Sequence, residues 1–521
     1  MTLSHSGKNH VALAAVCLTA MMFGLEISSV PVILPTLERV LHGSFRDVQW
    51  IMNAYTIACT TVLMAIGTLA DRYGRRRVLI IALIAFGITS FVCGIAQSAP
   101  VLIVSRFLQG MGGGAMLICQ IAVLSHQFQE GRERSNAFAI WGIVFGTGLG
   151  FGPIIGGAIV ALSNWHWVFL VHVPLSVLTL ALVFMGVEES RDPHAKRLDT
   201  VGIVTLSLAV FGFTYFITQG PDLGFTSGTA LAIVGGAVLC FIAFLFAERM
   251  NPHPMFDFSV FRIRNFSGAI LGSMGMNFSF WPFMIYLPIY YQSGLGYDTV
   301  TAGLSLLAYT LPTLVIPPVG ERLALRYRAG VVIPVGLFTI GLGFILMRYG
   351  SGAAHASWAT MLPGALIAGI GLGLTNTPVT NTTTGSVPVT RAGMASGIDM
   401  SARLITLAIN IALMGFLLVE GILSYLKRAL PASADPVRLR AIAEQIAAGN
   451  FGSLQHAFPE LATLDASGSA VHAALVHGFG TVMLYGGIGV WVLAALSLMI
   501  FGSADAARRP AKVDAAGNAC P

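Results

Sequence analysis

GTLADRYGRRRVL, residues Gly67–Leu79, is the stretch whose reading decides the fold. It stands between two apolar runs, about 49–70 and 78–97, each near the ~20 residues a helix needs to cross a bilayer. It therefore reads as a short loop joining two membrane helices. Arg72, Arg75, Arg76 and Arg77 crowd into it. Positive charge in a short inter-span loop marks the cytoplasmic side, so the loop also sets the orientation of the chain. A loop that only set orientation would need the arginines. It would not need Gly67, Asp71 and Gly74 at fixed spacing.

The rest of the chain suits a bilayer. Its 521 residues are 55% hydrophobic and 10% charged, where a soluble domain carries about 25% charged residues. Mean hydropathy is +0.78. The net charge of +6 reads as basic loops against anionic lipid rather than a nucleic-acid partner. Five of the six cysteines fall in apolar runs and Cys520 in the tail, with no metal or redox spacing. The first apolar run is too long for a signal-peptide core and is expected to stay as a span.

Apolar periodicity predicts an all-α polytopic membrane protein with fourteen transmembrane helices, at about 11–34, 49–70, 78–97, 100–124, 138–162, 166–187, 200–219, 228–248, 266–290, 300–320, 330–349, 358–386, 394–421 and 473–502. With the basic loop cytoplasmic, both termini fall on that side. Twenty Lys and Arg then lie on the cytoplasmic side against seven opposite, four of the seven in one long loop, 422–472. That extracytoplasmic loop contains a short surface helix from Asp435 to Gly449, with Asp435 as cap, Pro436 at the first helical position and Gly449 as stop. GERLALRYR, Gly320–Arg328, weakly repeats the opening stretch after span 10, without its Asp or second Gly. The repeat predicts an N-terminal six-helix bundle (1–187), two inserted helices (188–250), a C-terminal six-helix bundle (251–502) and a disordered cytoplasmic tail (503–521), with a substrate site between the halves.

Few charges lie well inside spans: Glu26, Arg106, Asp399 and Arg403, with Glu420 at an outer end. A charge at the helix centre costs on the order of 3 kcal/mol even on a lenient scale, so each needs a reason. At 1.5 Å rise per residue, Glu26 lies ~12 Å and Arg106 ~9 Å inside the same boundary. At that common depth they form either a proton switch or a static ion pair. Asp399 and Arg403 are spaced i,i+4, acid first, the better order on one helix face. They read either as part of an inner latch or as a second cation or proton site. Span 9 carries an aromatic stripe including Trp281 and Tyr286, beside Asn277; span 12 carries Asn376 and Asn381. Such a stripe packs more often than it binds. No nucleophile–base or metal constellation appears. The only Gly-Lys, Gly7-Lys8, is followed by Asn9 and forms no P-loop. Neither an enzyme, a cofactor nor a metal is expected.

Gly67–Leu79 resembles the helix 2–3 signature of the major facilitator superfamily, G-x-L-A-D-R-x-G-R-K-x-x-L. Two further stretches extend the resemblance. RFLQGMGGGA, Arg106–Ala115, resembles the superfamily's helix 4 motif R-x-x-Q-G-x-G-x-A and includes Gln109. Gly148, Gly152, Pro153, Gly156 and Gly157 in span 5 resemble the exporters' G-x-x-x-G-P-x-x-G-G. LEISSVPVILP, from Leu25, resembles the span 1 motif of the fourteen-span drug:proton antiporters, with Glu26 for the usual Asp and Ser28, Ser29 and Pro31 departing from it.

The resemblance implies proton-coupled antiport of lipophilic, cationic compounds by alternating access in the cell membrane. Glu26 would be the coupling carboxylate, its protonation releasing Arg106. Gly67, Asp71, Arg72, Gly74 and Arg75, with Asp399 and Arg403, would form a conformational latch. Gln109, Asn277, Trp281, Tyr286 and Asn376 would line the substrate cavity. His172 stands where relatives often carry Asn and reads as a packed, hydrogen-bonded residue rather than a proton carrier. The partners implied are a small-molecule substrate, protons and the lipid bilayer; an accessory envelope partner is left open. The alternatives are an exporter dedicated to one endogenous metabolite, such as a siderophore, sugar or fatty acid, and a non-transporting sensor or channel.

Overall fold

The computed structural model describes residues 5–41, 45–129, 131–191, 199–251, 258–297, 299–353, 355–429, 436–447 and 469–502. Among these the regular structure is helical, with no strand. The helices are α1 (His5–Val40), α2 (Phe45–Tyr73), α3 (Arg75–Ile95), α4 (Ala99–Gln127), α5 (Gly131–Leu162), α6 (His166–Gly186), α7 (Thr200–Leu223) and α8 (Gly228–Met250). Then come α9 (Arg264–Phe278, resuming as Phe280–Ile289), α10 (Thr299–Thr310, Pro312–Val315 and Pro317–Tyr327), α11 (Ala329–Ser351), α12 (Trp358–Gly385), α13 (Ala392–Ala429), α14 (Pro436–Ala447) and α15 (Ser469–Phe501).

Ten of the described helices are long and apolar enough to cross a membrane, or up to 13 if each bent pair is one span. Two of the three bends fall at a proline; the third, 51° between Leu63 and Ala65 in α2, has none beside it. α5 turns by 54° between Gly152 and Ile154, at Pro153, which has no N–H to give. α10 turns by 44° between Val315 and Pro317. α9 is interrupted at Ser279 and ends in a π-turn, Tyr290–Gly294.

α1 packs on α5, α2 on α4 and α3 on α4 and α6, around a core that includes Phe23, Phe86, Phe138 and Trp141. α11 packs on α12 and α15, and α9 on α12, α13 and α15, around Phe283, Tyr309, Phe344 and Phe479. Large apolar side chains on the outside, such as Ile81, Ile88, Leu239 and Phe246, are more than half exposed. In water such a surface would drive association, so these faces belong in lipid. The protein is an integral membrane protein.

α7 and α8 form a hairpin against α2 and α13. Asp199 caps α7 by accepting from Gly202 N at 2.8 Å, and Ser227 caps α8 by accepting from Ala230 N at 3.2 Å. Trp50 and Tyr215, with ring centroids 5.6 Å apart, join α2 to α7. α14 buries Leu439, Ile442, Ala443 and Ile446, an i, i+3, i+4, i+7 stripe, in the core shared with Leu418 and Ile422 of α13. Its expected cap Asp435 and stop Gly449 lie outside the described residues, as does the 503–521 tail.

The two bundles meet along α2 with α13 and α5 with α10. On α5, Gly142, Gly146 and Gly150, one turn apart, face Thr377, Thr313 and Thr310 of the other bundle. A different stripe of the same helix, Gly148, Gly152 and Gly156, faces Met21–Leu25, Ser28 and Ser29 of α1. Small residues at four-residue spacing let helices approach closely. α5 does this on two sides at once.

Candidate functional site: two clasps at one end and a buried carboxylate cluster

The first clasp sits at the end of the bundles that carries the Gly67–Leu79 loop. Gly74, at φ 109°, makes the left-handed turn that ends α2 and starts α3. Behind it, buried Arg75 donates to Asp71 Oδ1 through Nε at 3.0 Å and Nη2 at 2.7 Å, and to Val389 O at 2.6 Å. Asp71 in turn accepts from Gly393 N at 3.2 Å and Met394 N at 3.0 Å. Those N–H groups are the free donors of the first turn of α13, where a carboxylate is favoured by hydrogen bonding and helix dipole alike. Gly67 is glycine because Gly393 O stands 2.6 Å from where a Cβ would be. Arg72 lies over the Tyr73 ring. Glu189 accepts from Arg76 N and Arg77 N, both at 3.2 Å, at the start of α3.

A second clasp at the same end was not foreseen. Arg134, in the first turn of α5, donates to Asn381 Oδ1 at 2.7 Å and Thr384 Oγ1 at 2.8 Å, both on α12. Glu321 of α10, 2% exposed, accepts from Asn381 Nδ2 at 2.9 Å and from Ser135 Oγ at 3.0 Å. The available signal was Gly320, at the head of the weak repeat of Gly67. The repeat lacks the Asp, but Glu321 carries a carboxylate to the start of α5 as Asp71 does to the start of α13.

Deeper in the N-terminal bundle, Glu26 is fully buried. Its Oε1 is paired with Arg106 Nη1. His172 Nε2 lies 2.9 Å from its Oε2, a close contact whose angle falls short of a hydrogen bond. Arg106 also donates to Ile51 O at 3.1 Å and Gln109 Oε1 at 2.7 Å, and its guanidinium lies 4.4 Å from the Tyr55 ring centroid. Gln109 Nε2 continues to Ser90 Oγ at 2.8 Å. α1, α2, α3, α4 and α6 thus converge on one carboxylate. Glu26 and Arg106 are legible in the sequence; His172, expected as a packed, hydrogen-bonded residue, packs against Phe86 but has no hydrogen-bond partner on either ring nitrogen among the described residues.

The second buried acid stays within the C-terminal bundle. Asp399 takes Arg403 through Nε at 3.2 Å and Nη2 at 3.1 Å, and the Ser273 hydroxyl donates to its Oδ1. Arg403 also donates to Asn376 Oδ1 and Thr380 Oγ1, each at 2.6 Å. The structure therefore places Asp399 and Arg403 with α9 and α12, not with Asp71 and Arg75. Of the expected cavity residues, Gln109 accepts from Arg106 and Asn376 from Arg403. Asn277 donates to Ser273 O at 2.9 Å and Tyr286 to Ile411 O at 2.5 Å, while Trp281 packs edge-on to Phe280.

Residues 16–411 match the family model described as Major Facilitator Superfamily. The chain belongs to this superfamily. Among curated relatives, the Multidrug resistance protein Stp of Mycobacterium tuberculosis is 32% identical over 84% of this chain and 81% of its own length. The Tetracenomycin C resistance and export protein of Streptomyces glaucescens is 28% identical over 94% of this chain and 91% of its own. The Multidrug efflux pump LfrA of Mycolicibacterium smegmatis is 27% identical over 84% and 86%. The crystal structure of the human organic anion transporter MFSD10 superposes with a TM-score of 0.63 at 13% identity, covering 94% of this chain and 99% of that one, which is a likeness of fold. As a member of this superfamily the chain has a transport role, with small molecules as substrates.

Proposed function

We propose that this protein is a fourteen-span drug:proton antiporter that exports lipophilic, cationic drugs or toxic compounds by alternating access. Its termini would lie in the cytoplasm, and its two six-helix bundles would be divided as the sequence divides them. The observation that carries the reading is the Glu26–Arg106–His172 cluster: a titratable carboxylate with no route to charge balance except its own neighbours, one helix away from the bent glycine stripe of α5. Relatives named for multidrug and antibiotic export support the substrate class.

In this reading the clasps close the cytoplasmic mouth, so the described conformation faces outward. A proton entering from outside changes the net charge of the Glu26 cluster by one. α1 then shifts in its seat on the Gly148, Gly152 and Gly156 stripe, and α5 carries the shift to α10. The clasps open, the proton leaves inward and substrate loads. The test is purified protein in liposomes with an imposed pH gradient and a panel of fluorescent lipophilic cations. Uphill, gradient-dependent dye movement is expected; dye movement only down its own gradient would refute antiport.

A further inference from the structure

We infer that the proton which drives transport is carried on the imidazole of His172, with Glu26 remaining ionised as its counter-charge. This rests on the reading of the Glu26 cluster as the coupling site and specifies which atoms hold the proton.

The argument begins with what surrounds Glu26. One oxygen faces Arg106, the other faces His172 Nε2 at 2.9 Å, and acid, arginine and histidine are all 1% exposed or less. With neutral histidine the cluster holds one negative and one positive charge. An added proton can go to one of two places. On Glu26 it would erase the only anion among these groups and leave the Arg106 guanidinium without a counter-charge in a dry site, the arrangement buried ion pairs avoid. On His172 it leaves the carboxylate between two cations, each facing its own oxygen, so the anion keeps both of its attractive contacts.

The surroundings of the ring fit that role. α3 turns Phe86 to it edge to face, with centroids 5.5 Å apart. The other titratable groups of the cluster are Tyr55 from α2 and Cys93 from α3; Tyr55 lies under Arg106 and Cys93 donates to Gln109 at 3.6 Å. Nδ1 is buried with no hydrogen-bond partner among the described residues, and neither has the Ser176 hydroxyl one turn further along α6. Nε2 and the Glu26 Oε2 it faces at 2.9 Å are likewise without a hydrogen-bond partner among the described residues, so a proton on the ring has beside it a carboxylate oxygen that no donor occupies. The step balances simply: a proton from the outer aqueous phase forms an N–H bond on the ring, and the same bond breaks when the inner mouth opens. No carboxylic acid forms, and Arg106 is never released from Glu26.

The experiment reads the proton directly. Difference infrared spectra of the reconstituted full-length wild type, taken across a pH step, are expected to show imidazolium bands and no protonated-carboxyl band that disappears in Glu26→Gln. His172→Asn leaves Glu26 as the only titrating partner of Arg106. It should gain that carboxyl band and show a changed transport–pH profile. Glu26 band present in the wild type, or an unmoved profile in His172→Asn, would overturn the assignment. Should His172→Asn fold poorly, the wild-type spectrum alone decides. Retention of gradient-driven transport by Glu26→Gln would instead refute the underlying coupling site, a result distinct from either.

Discussion

Asp71→Asn tests whether the first clasp sets the conformational balance. The carboxylate is met by four donors: two from Arg75 and two from the first turn of α13. The amide keeps the shape and one acceptor oxygen. It loses the charge, and it turns an NH2 toward one of the two backbone N–H groups, which is then left without an acceptor. A hydrogen bond to a charged group contributes about 1.5–3 kcal/mol. The bonds to Arg75 run within the loop and survive either conformation, so only the two to α13 count toward closure. Losing one and weakening the other removes about 2 kcal/mol from the closed state, a shift of roughly 30-fold toward the inward-facing form. Cysteines placed on either side of the α2–α13 seam and probed with a membrane-impermeant thiol reagent from the cytoplasmic face report that population. Substrate affinity of the competent state should hardly move, because none of these groups reaches the Glu26 cluster. A changed substrate range with unchanged cytoplasmic accessibility would refute the reasoning.

Glu26→Gln should abolish gradient-driven export, and Glu26→Asp should keep part of it, since the carboxylate survives one methylene shorter; proton-coupled dye uptake into inverted vesicles measures both. Gly67→Ala sets a methyl against Gly393 O, 2.6 Å away, and should open the same seam as Asp71→Asn by a steric route, visible as the same gain in thiol accessibility. Asn381→Ala removes the residue that joins Arg134 to Glu321. It should raise inner accessibility on the α5–α10 side, and combined with Asp71→Asn it should do so additively, because the two clasps share no partner. Asp399→Asn leaves Arg403 buried without its anion and should cost about 3–5 kcal/mol of stability, seen as a lowered melting temperature, with turnover falling equally for neutral, monovalent and divalent substrates. Selective loss of divalent cations would instead make Asp399 a contact for substrate charge.

The positions of the helices were legible because hydrocarbon thickness imposes a length on apolar runs. Their ends were not. α1 continues to Val40, α5 starts at Gly131 and α13 runs to Ala429, since polar residues stay helical after leaving the apolar zone. The bends at Pro153 and Pro317 follow from missing donors; the interruption at Ser279 has no such mark in the sequence. Helical depth brought Glu26 and Arg106 together, because each could be counted from its own boundary. It did not bring in His172, whose contact depends on which face of α6 turns to α1. Asp399 and Arg403 were correctly paired by spacing, but spacing cannot say which third helix supplies Ser273. Glu321 carries no such mark: Thr68 stands at its matching position in the first loop, and the position matching Asp71 in the repeat holds no acid.

The Glu321 contact bears on mechanism. Had Asp71 alone tied the bundles at the inner end, opening would be a hinge about a single seam, with the α5–α10 side free to follow. The structure instead ties both sides: Asp71 to the start of α13 and, through Glu321 and Asn381, the start of α5 to α10 and α12. Rocking then has to break both sets of hydrogen bonds together. The Thr377, Thr313 and Thr310 contacts against α5 glycines continue along α5 away from its clasp, and a stripe without side chains can slide where interlocked side chains could not. Between them stands α5, which meets α1 at Ser28 and Ser29, two and three residues beyond Glu26. Ser28 donates to Gly148 O at 3.0 Å as well as to Gly24 O at 2.7 Å, so the α1–α5 contact is fixed in register. A shift of α1 of even a few tenths of an ångström must therefore be taken up by α5 or by its bend at Pro153. Ser28 and Ser29 occupy the places where that register is set.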